Sequence, residues 1–188
     1  YSQYSKYLDA FGFFQKVDTP YVDQSLGVKN IGLPTDYLST GFGQASSITV
    51  LQLCQAYTAI FNDGTMVRPY VIDSIVDSDT GKVEKKYKKK AVGTPITSTT
   101  AKEVQELMSH VTDDGASGAR FKVHGVDLLM KTGTGQIYNT DLGKYDSDYH
   151  TSSIMAAAPA NDPKIMVYYG LVSPNITSYS AEPFKKIV

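Results

Sequence analysis

Val126, Leu128 and Met130 alternate with Asp127, Leu129 and Lys131. This period-2 spacing predicts a strand, and the apolar Leu129 on its second face predicts burial on both sides. Two apolar runs, residues 153–158 (SIMAAA) and 165–172 (IMVYYGLV), predict two further strands joined by the Pro-Ala-Asn-Asp-Pro-Lys connection between them. Three adjacent antiparallel strands follow from this order. Helical spacing marks other segments. Tyr4, Tyr7, Leu8, Phe11 and Phe14 form a core-facing stripe over residues 1–14. Thr49-Val50-Leu51-Gln52 reads as a capping box that opens a helix with Val50, Leu53, Cys54, Tyr57, Ile60 and Phe61 on one apolar face. Asn62-Asp63-Gly64 supplies its left-handed terminator. A second capping box, Thr100 to Glu103, predicts a helix with Val104, Leu107, Met108 and Val111 on its face, broken by Gly115, Ser117 and Gly118. Tyr179 to Val188 predicts a closing helix with Pro183 in its first turn.

The intervening segments carry weaker patterns. Residues 18–47 hold Pro20, Pro34 and four glycines and are expected to be irregular. Gly41-Phe42-Gly43 is no dinucleotide loop, because it lacks the third glycine and follows no strand. Residues 70–76 (YVIDSIV) read as a strand, Asp77 to Gly81 as a turn, and the following lysine-rich stretch as a second strand, so a protruding hairpin is expected at about 70–90. Its lysines, from Lys82 to Lys90, read as a solvated edge, since Tyr87 is the lone aromatic among them. The polar, tyrosine-rich residues 137–150 read as a loop.

Composition narrows the class. With 188 residues, 41% hydrophobic and 20% charged, the chain is an ordinary globular one, long enough for a core that buries about 70% of the unfolded surface. A net charge of −1 gives no reason to expect nucleic acid or an anionic membrane as partner. No apolar run approaches the ~18 residues needed to span a bilayer. The chain starts Tyr1-Ser2-Gln3, without initiator methionine or signal peptide, and reads as a piece of something longer. Cys54, the lone cysteine, has no internal disulfide partner and sits on a helix expected to be buried.

The chemistry is concentrated where the first strand ends, in Lys131-Thr132-Gly133-Thr134-Gly135-Gln136. Lysine offers a point charge to a carboxylate, threonine hydroxyls donate and accept hydrogen bonds, and glycine lets a substrate backbone approach closely. The group suits a peptide carboxylate laid along a strand edge. Elsewhere, His110, Asp113, Asp114, His124 and His150 lack the i, i+4 spacing of a zinc helix, so no metal is expected. Phosphoryl transfer lacks its glycine-rich lysine loop. No cofactor is expected.

GFGQASSITVLQLCQAYTAIFNDGTMVRPYVI, KTGTGQ and SSIMAAAPANDPKIMVYYGLV follow one another in this order. Together they resemble the C-terminal half of the transpeptidase domain of class B penicillin-binding proteins, from about Gly27 onwards. The resemblance implies an α/β (α+β) fold, an αβα sandwich around a central antiparallel sheet, of which residues 1–188 would be the C-terminal portion of a single domain. It implies D,D-transpeptidation of peptidoglycan stem peptides, inhibition by β-lactam antibiotics, and a place on the extracytoplasmic face of the bacterial membrane. Any membrane attachment would run through an N-terminal anchor absent from this chain. In the family the residues matching Lys131, Thr132 and Gly133 form the third motif, whose lysine and hydroxyl side chains bind the substrate or β-lactam carboxylate. The backbone N–H matching Thr134 is one of two oxyanion-hole donors, a donor whose loss typically costs about 3 kcal/mol of transition-state stabilisation. Gln136 would lie at the rim of the groove.

One departure stands out: no serine here has a lysine three residues later, so the family's first motif, S-x-x-K, is missing. Thr99-Thr100-Ala101-Lys102 imitates it at a helix start, and Ser173-Pro174-Asn175 spells S-x-N on the wrong side of K-T-G. The nucleophile and its activating lysine would then lie upstream of Tyr1 in the parent protein. A non-catalytic penicillin-recognition module, or a β-lactam sensor or class D β-lactamase-like domain, is the alternative.

Overall fold

The computed structural model describes residues 1–174 and 181–188. The chain divides into two compact units, Tyr1–Leu38 with Ala45–Ala101, and Ser39–Gln44 with Lys102–Val188.

In the first unit, α1 (Ser2–Ala10) follows the aromatic stripe and stops before Gly12 and Phe14, both at positive φ. Residues 18–47 are less irregular than expected, for they contain a short helix, α2 (Pro34–Gly41). Proline at the first helical position needs no N–H, and the Asp36 carboxylate accepts from the backbone of Gly32 (2.9 Å) and Leu33 (2.7 Å), so the proline that read as a breaker starts a helix instead. The helix α3 (Val50–Phe61) begins at the expected capping box, with the Thr49 side chain accepting from the Gln52 N–H and the Gln52 side chain accepting from the Thr49 N–H. Its end is as predicted, with Asp63 and Gly64 left-handed. Its buried face is not. Gln52, Gln55, Ala56 and Ala59 are buried, whereas Val50 is exposed and the rest of the predicted face, Cys54 included, is half-buried. The polar face wins because the Gln52 amide donates to the carbonyls of Gln15 (2.7 Å) and Leu26 (3.1 Å), tying down two loops at no desolvation loss. Burial still pushes the Cys54 thiol pKa up.

Four short strands follow: β1 (Met66–Val67), β2 (Ser74–Val76), β3 (Val83–Lys86) and β4 (Ala91–Gly93). β2 pairs antiparallel with β3, and β1 with β4, so the hairpin is closed at its base by the second pair. The first hairpin strand is shorter than the 70–76 predicted. The Asp77 carboxylate holds the turn, accepting from the Thr80 N–H and hydroxyl (both 2.7 Å) and the Asp79 N–H (3.1 Å). Next comes α4 (Ser98–Ser109), which starts two residues before the predicted box. Thr97 rather than Thr100 takes the capping position, accepting from the Thr100 N–H at 3.1 Å. Ala101 and Met108 are buried, but Leu107 is 72% exposed, against expectation.

The second unit is built on a three-stranded antiparallel sheet of β5 (Leu129–Asn139), β6 (Lys144–Ala158) and β7 (Ile165–Ser173), with β6 central. These are the three strands read from the apolar runs. Leu129 and Met130 are both buried, as the two-sided pattern requires. Leu128, Met130, Ile154 and Ala156 form one core with Phe121 and Phe184, whose rings meet edge-to-face at 5.9 Å. Phe184 comes from α5 (Glu182–Ile187), which carries Pro183 in its first turn. The rest of the predicted closing helix, Tyr179 and Ser180, lies outside the described residues, as does Asn175 of the S-x-N triplet.

Residues 137–150 are not a loop. β5 and β6 continue past Gln136 as a two-stranded ribbon with Tyr138 opposite Tyr145, their rings 5.5 Å apart edge-to-face, and a turn at Gly143. Cross-strand aromatic pairing stabilises this ribbon where no apolar alternation announces it. No described helix is long and apolar enough to cross a membrane.

Candidate functional site

β5 has β6 on one side and, among the described residues, no strand on the other. Its free edge therefore presents unpaired backbone N–H and C=O groups to whatever approaches. Strand geometry sends Lys131, Gly133 and Gly135 to one face and Thr132, Thr134 and Gln136 to the other. Lys131, Thr134 and Gln136 are exposed and Thr132 half-buried. The Lys131 ammonium donates to the carbonyl oxygen of Thr132, so the charge is folded back over its own strand.

The glycines have separate reasons. Gly133 lies opposite Ser153, and a β-carbon there would stand 2.7 Å from the Ser153 Oγ. Gly135 leaves room for Gln44, since a β-carbon there would stand 3.4 Å from its Nε2. The GFGQ segment and the K-T-G-T-G strand, distant in sequence, thus meet. Ser117 is a second residue that sequence reasoning missed. Its hydroxyl lies 3.5 Å from that of Thr132, carried there by the glycine-rich loop before the strand. Gly118 packs that loop down, since a β-carbon on it would be 2.7 Å from the Val111 carbonyl and 3.3 Å from the Met130 sulfur. Nothing in the sequence points to either contact beyond the small residues around them.

Gln136 faces His150 across the ladder, and the His150 Nδ1 is buried without a hydrogen-bond partner. His110 sits elsewhere, its Nδ1 2.8 Å from Asp113 and its Nε2 3.4 Å from Glu106. These carboxylates, Asp113 first, raise the pKa of the imidazole. Among the described residues no group of three His, Cys, Asp or Glu side chains is placed to hold a metal ion.

An open strand edge, one ammonium, the hydroxyls of Thr132 and Thr134 and two positions without side chains suit an extended peptide ending in a carboxylate. The chain belongs to the family described as the penicillin binding protein transpeptidase domain, whose profile matches residues 1–188. The stage V sporulation protein D of Bacillus subtilis is 32% identical over 176 residues, covering 92% of this chain and 27% of that protein. The probable peptidoglycan D,D-transpeptidase PenA of Neisseria gonorrhoeae is 30% identical over 160 residues, covering 82% of this chain and 25% of its own length. The chain thus spans about a quarter of the length of these relatives. Among solved structures, penicillin binding protein 3 from Mycobacterium tuberculosis, complexed with ampicillin, superimposes with a TM-score of 0.87 at 25% identity, over 100% of this chain and 44% of that one. The fold is accordingly the mixed helix and antiparallel-sheet fold of these transpeptidase domains, present in part.

Proposed function

We propose that this chain is part of a peptidoglycan D,D-transpeptidase and supplies the K-T-G wall of its active site. The carrying observation is the edge position of β5 with Lys131 and Thr134 exposed along it. In this reading a stem peptide, or a β-lactam in its place, lies antiparallel to β5. Lys131 and Thr132 take its carboxylate, Gly133 gives its backbone clearance, and the N–H of Thr134 donates to the developing oxyanion. Gln136 lines the outer end of the groove. Membership of the family and relatives named as peptidoglycan D,D-transpeptidases support this. They also support a place in the cell envelope, for which the extracytoplasmic face and an N-terminal anchor are the finer reading.

Acyl transfer needs a nucleophile activated by an adjacent base, and no serine of these 188 residues heads an S-x-x-K. The parent protein would contribute that pair, both units here belonging to one transpeptidase domain. The test is intact-protein mass spectrometry after incubation with penicillin. The 188-residue chain is expected to gain no covalent mass, and a chain extended upstream through an S-x-x-K to gain one stoichiometric adduct. An adduct on a serine within residues 1–188 would overturn the assignment of roles. If the extended chain also stays unlabelled, the reading gives way to a recognition module without catalysis, which the missing motif alone would equally explain.

A further inference from the structure

The lysine-rich hairpin does more than present a solvated edge. Together with the segment around Asp18 it encloses an open pocket of about 460 Å³, lined by Arg68, Tyr87 and the five lysines between positions 85 and 90, with Asp18 the one carboxylate. Six cationic groups against one anionic group is a local excess that a chain of net charge −1 does not share elsewhere by default. Tyr87 is not the exposed platform its neighbours suggest. It is buried to 7% exposure, with the Lys85 ammonium 5.0 Å from its ring centre, and its hydroxyl is buried with no hydrogen-bond partner. The Nε of Arg68 is likewise buried and partnerless, although its Nη1 donates to Asp18 at 2.9 Å. Two buried donors without acceptors beside a lysine-rich lining form an unfavourable arrangement unless an acceptor arrives.

We propose that this pocket binds a phosphate-bearing anion, with Tyr87 and Arg68 at its floor and the lysines at its mouth. A phosphate group offers several oxygens in a tetrahedral array and so answers a guanidinium, a phenol and several ammoniums together, more of them than a planar carboxylate meets. Asp18 already supplies the carboxylate here, to Arg68 and, at 3.5 Å, to the Lys90 ammonium. It is 67% exposed at its side chain and competes with an incoming anion for the same cations.

The test measures binding of pyrophosphate and a short polyphosphate to the protein by calorimetry at low salt, with polyglutamate of matched charge as the carboxylate control. Polyphosphate is expected to bind about tenfold more tightly than polyglutamate, and Tyr87→Phe to weaken it several-fold. Asp18→Asn is expected to strengthen binding. Tyr87→Phe removes an unsatisfied hydroxyl, so the unliganded variant should melt no lower than the parent, which separates lost binding from lost folding. A second arm compares vesicles of phosphatidylglycerol with vesicles of phosphatidylcholine. Partition onto the former identifies a lipid headgroup as the source of the phosphate, and binding to the soluble chains alone identifies a soluble phosphate or polyphosphate. Equal affinity for polyphosphate and polyglutamate, unchanged by Tyr87→Phe, would overturn the proposal, as would an absence of binding to every phosphate probe.

Discussion

The sheet of β5, β6 and β7 and the ribbon of β1 to β4 are both antiparallel, yet they are held by different forces. In the sheet, Met130 and Ile154 are fully buried and Leu129 and Met155 nearly so, which is hydrophobic burial on both faces. In the ribbon all four residues of β3 are exposed, and order comes from the Asp77 turn, the backbone ladder and the base pairing of β1 with β4. Strand structure therefore does not by itself report a core. One unit uses the sheet as a foundation and the other uses a ribbon to display charge.

The comparison is broken most readily by truncating one side chain in each region. Met130→Ala should destabilise the protein by about 2–5 kcal/mol, whereas Val83→Ala, at a position 51% exposed in β3, should stay within about 0.5 kcal/mol. Urea unfolding followed by circular dichroism reads both, and comparable losses would mean the ribbon hides a core of its own. A smaller effect is expected at the left-handed end of α3. Gly64 has φ +85°, and a β-carbon there would stand 2.3 Å from the Ile96 carbonyl, so Gly64→Ala should cost about 1–3 kcal/mol in the same measurement.

The smallest effects sharpen the contrast through pH. Arg68 first, with Lys90, holds the Asp18 carboxyl below its usual range, so the stability it contributes is present above its unfolded pKa and lost as pH falls through the depressed folded value. His110 has its pKa raised, so its contribution is complete below the unfolded value and lost as pH rises through the folded one. The melting difference between wild type and Asp18→Asn should thus vanish on the acid side. That between wild type and His110→Gln should be present near about pH 5 and gone by about pH 9. Asp18, His110 and Asp113 are solvent-exposed although the Arg68 side chain is largely buried, so each shift should be slight and shrink with salt.

The three strands of the sheet were legible because their side chains alternate or run apolar, and the α3 start because its box is local. What escaped depends on partners remote in sequence. The buried face of α3 was misread because the Gln52 amide finds carbonyls at Gln15 and Leu26, which no helical pattern can show. The ribbon beyond Gln136 escaped because its stabilising pair, Tyr138 and Tyr145, is made across strands in a polar stretch. Pro34 looked like a breaker because proline serves a loop or a helix start equally well. At the candidate site the K-T-G run was visible as a motif, but Gln44 beside Gly135 and Ser117 beside Thr132 are products of folding alone.

β6 is bonded to β5 over most of its length and to β7 from His150 to Ala158, so that segment carries ladders on both sides. Its amides are released to deuterium only when both ladders part, whereas the outward amides of β5 need no opening at all. The candidate groove is consequently a boundary between two clocks. Its backing strand is expected to keep time with the slowest unfolding of the unit, and the outward amides of its lip, between Lys131 and Gln136, to be renewed with solvent on the fastest.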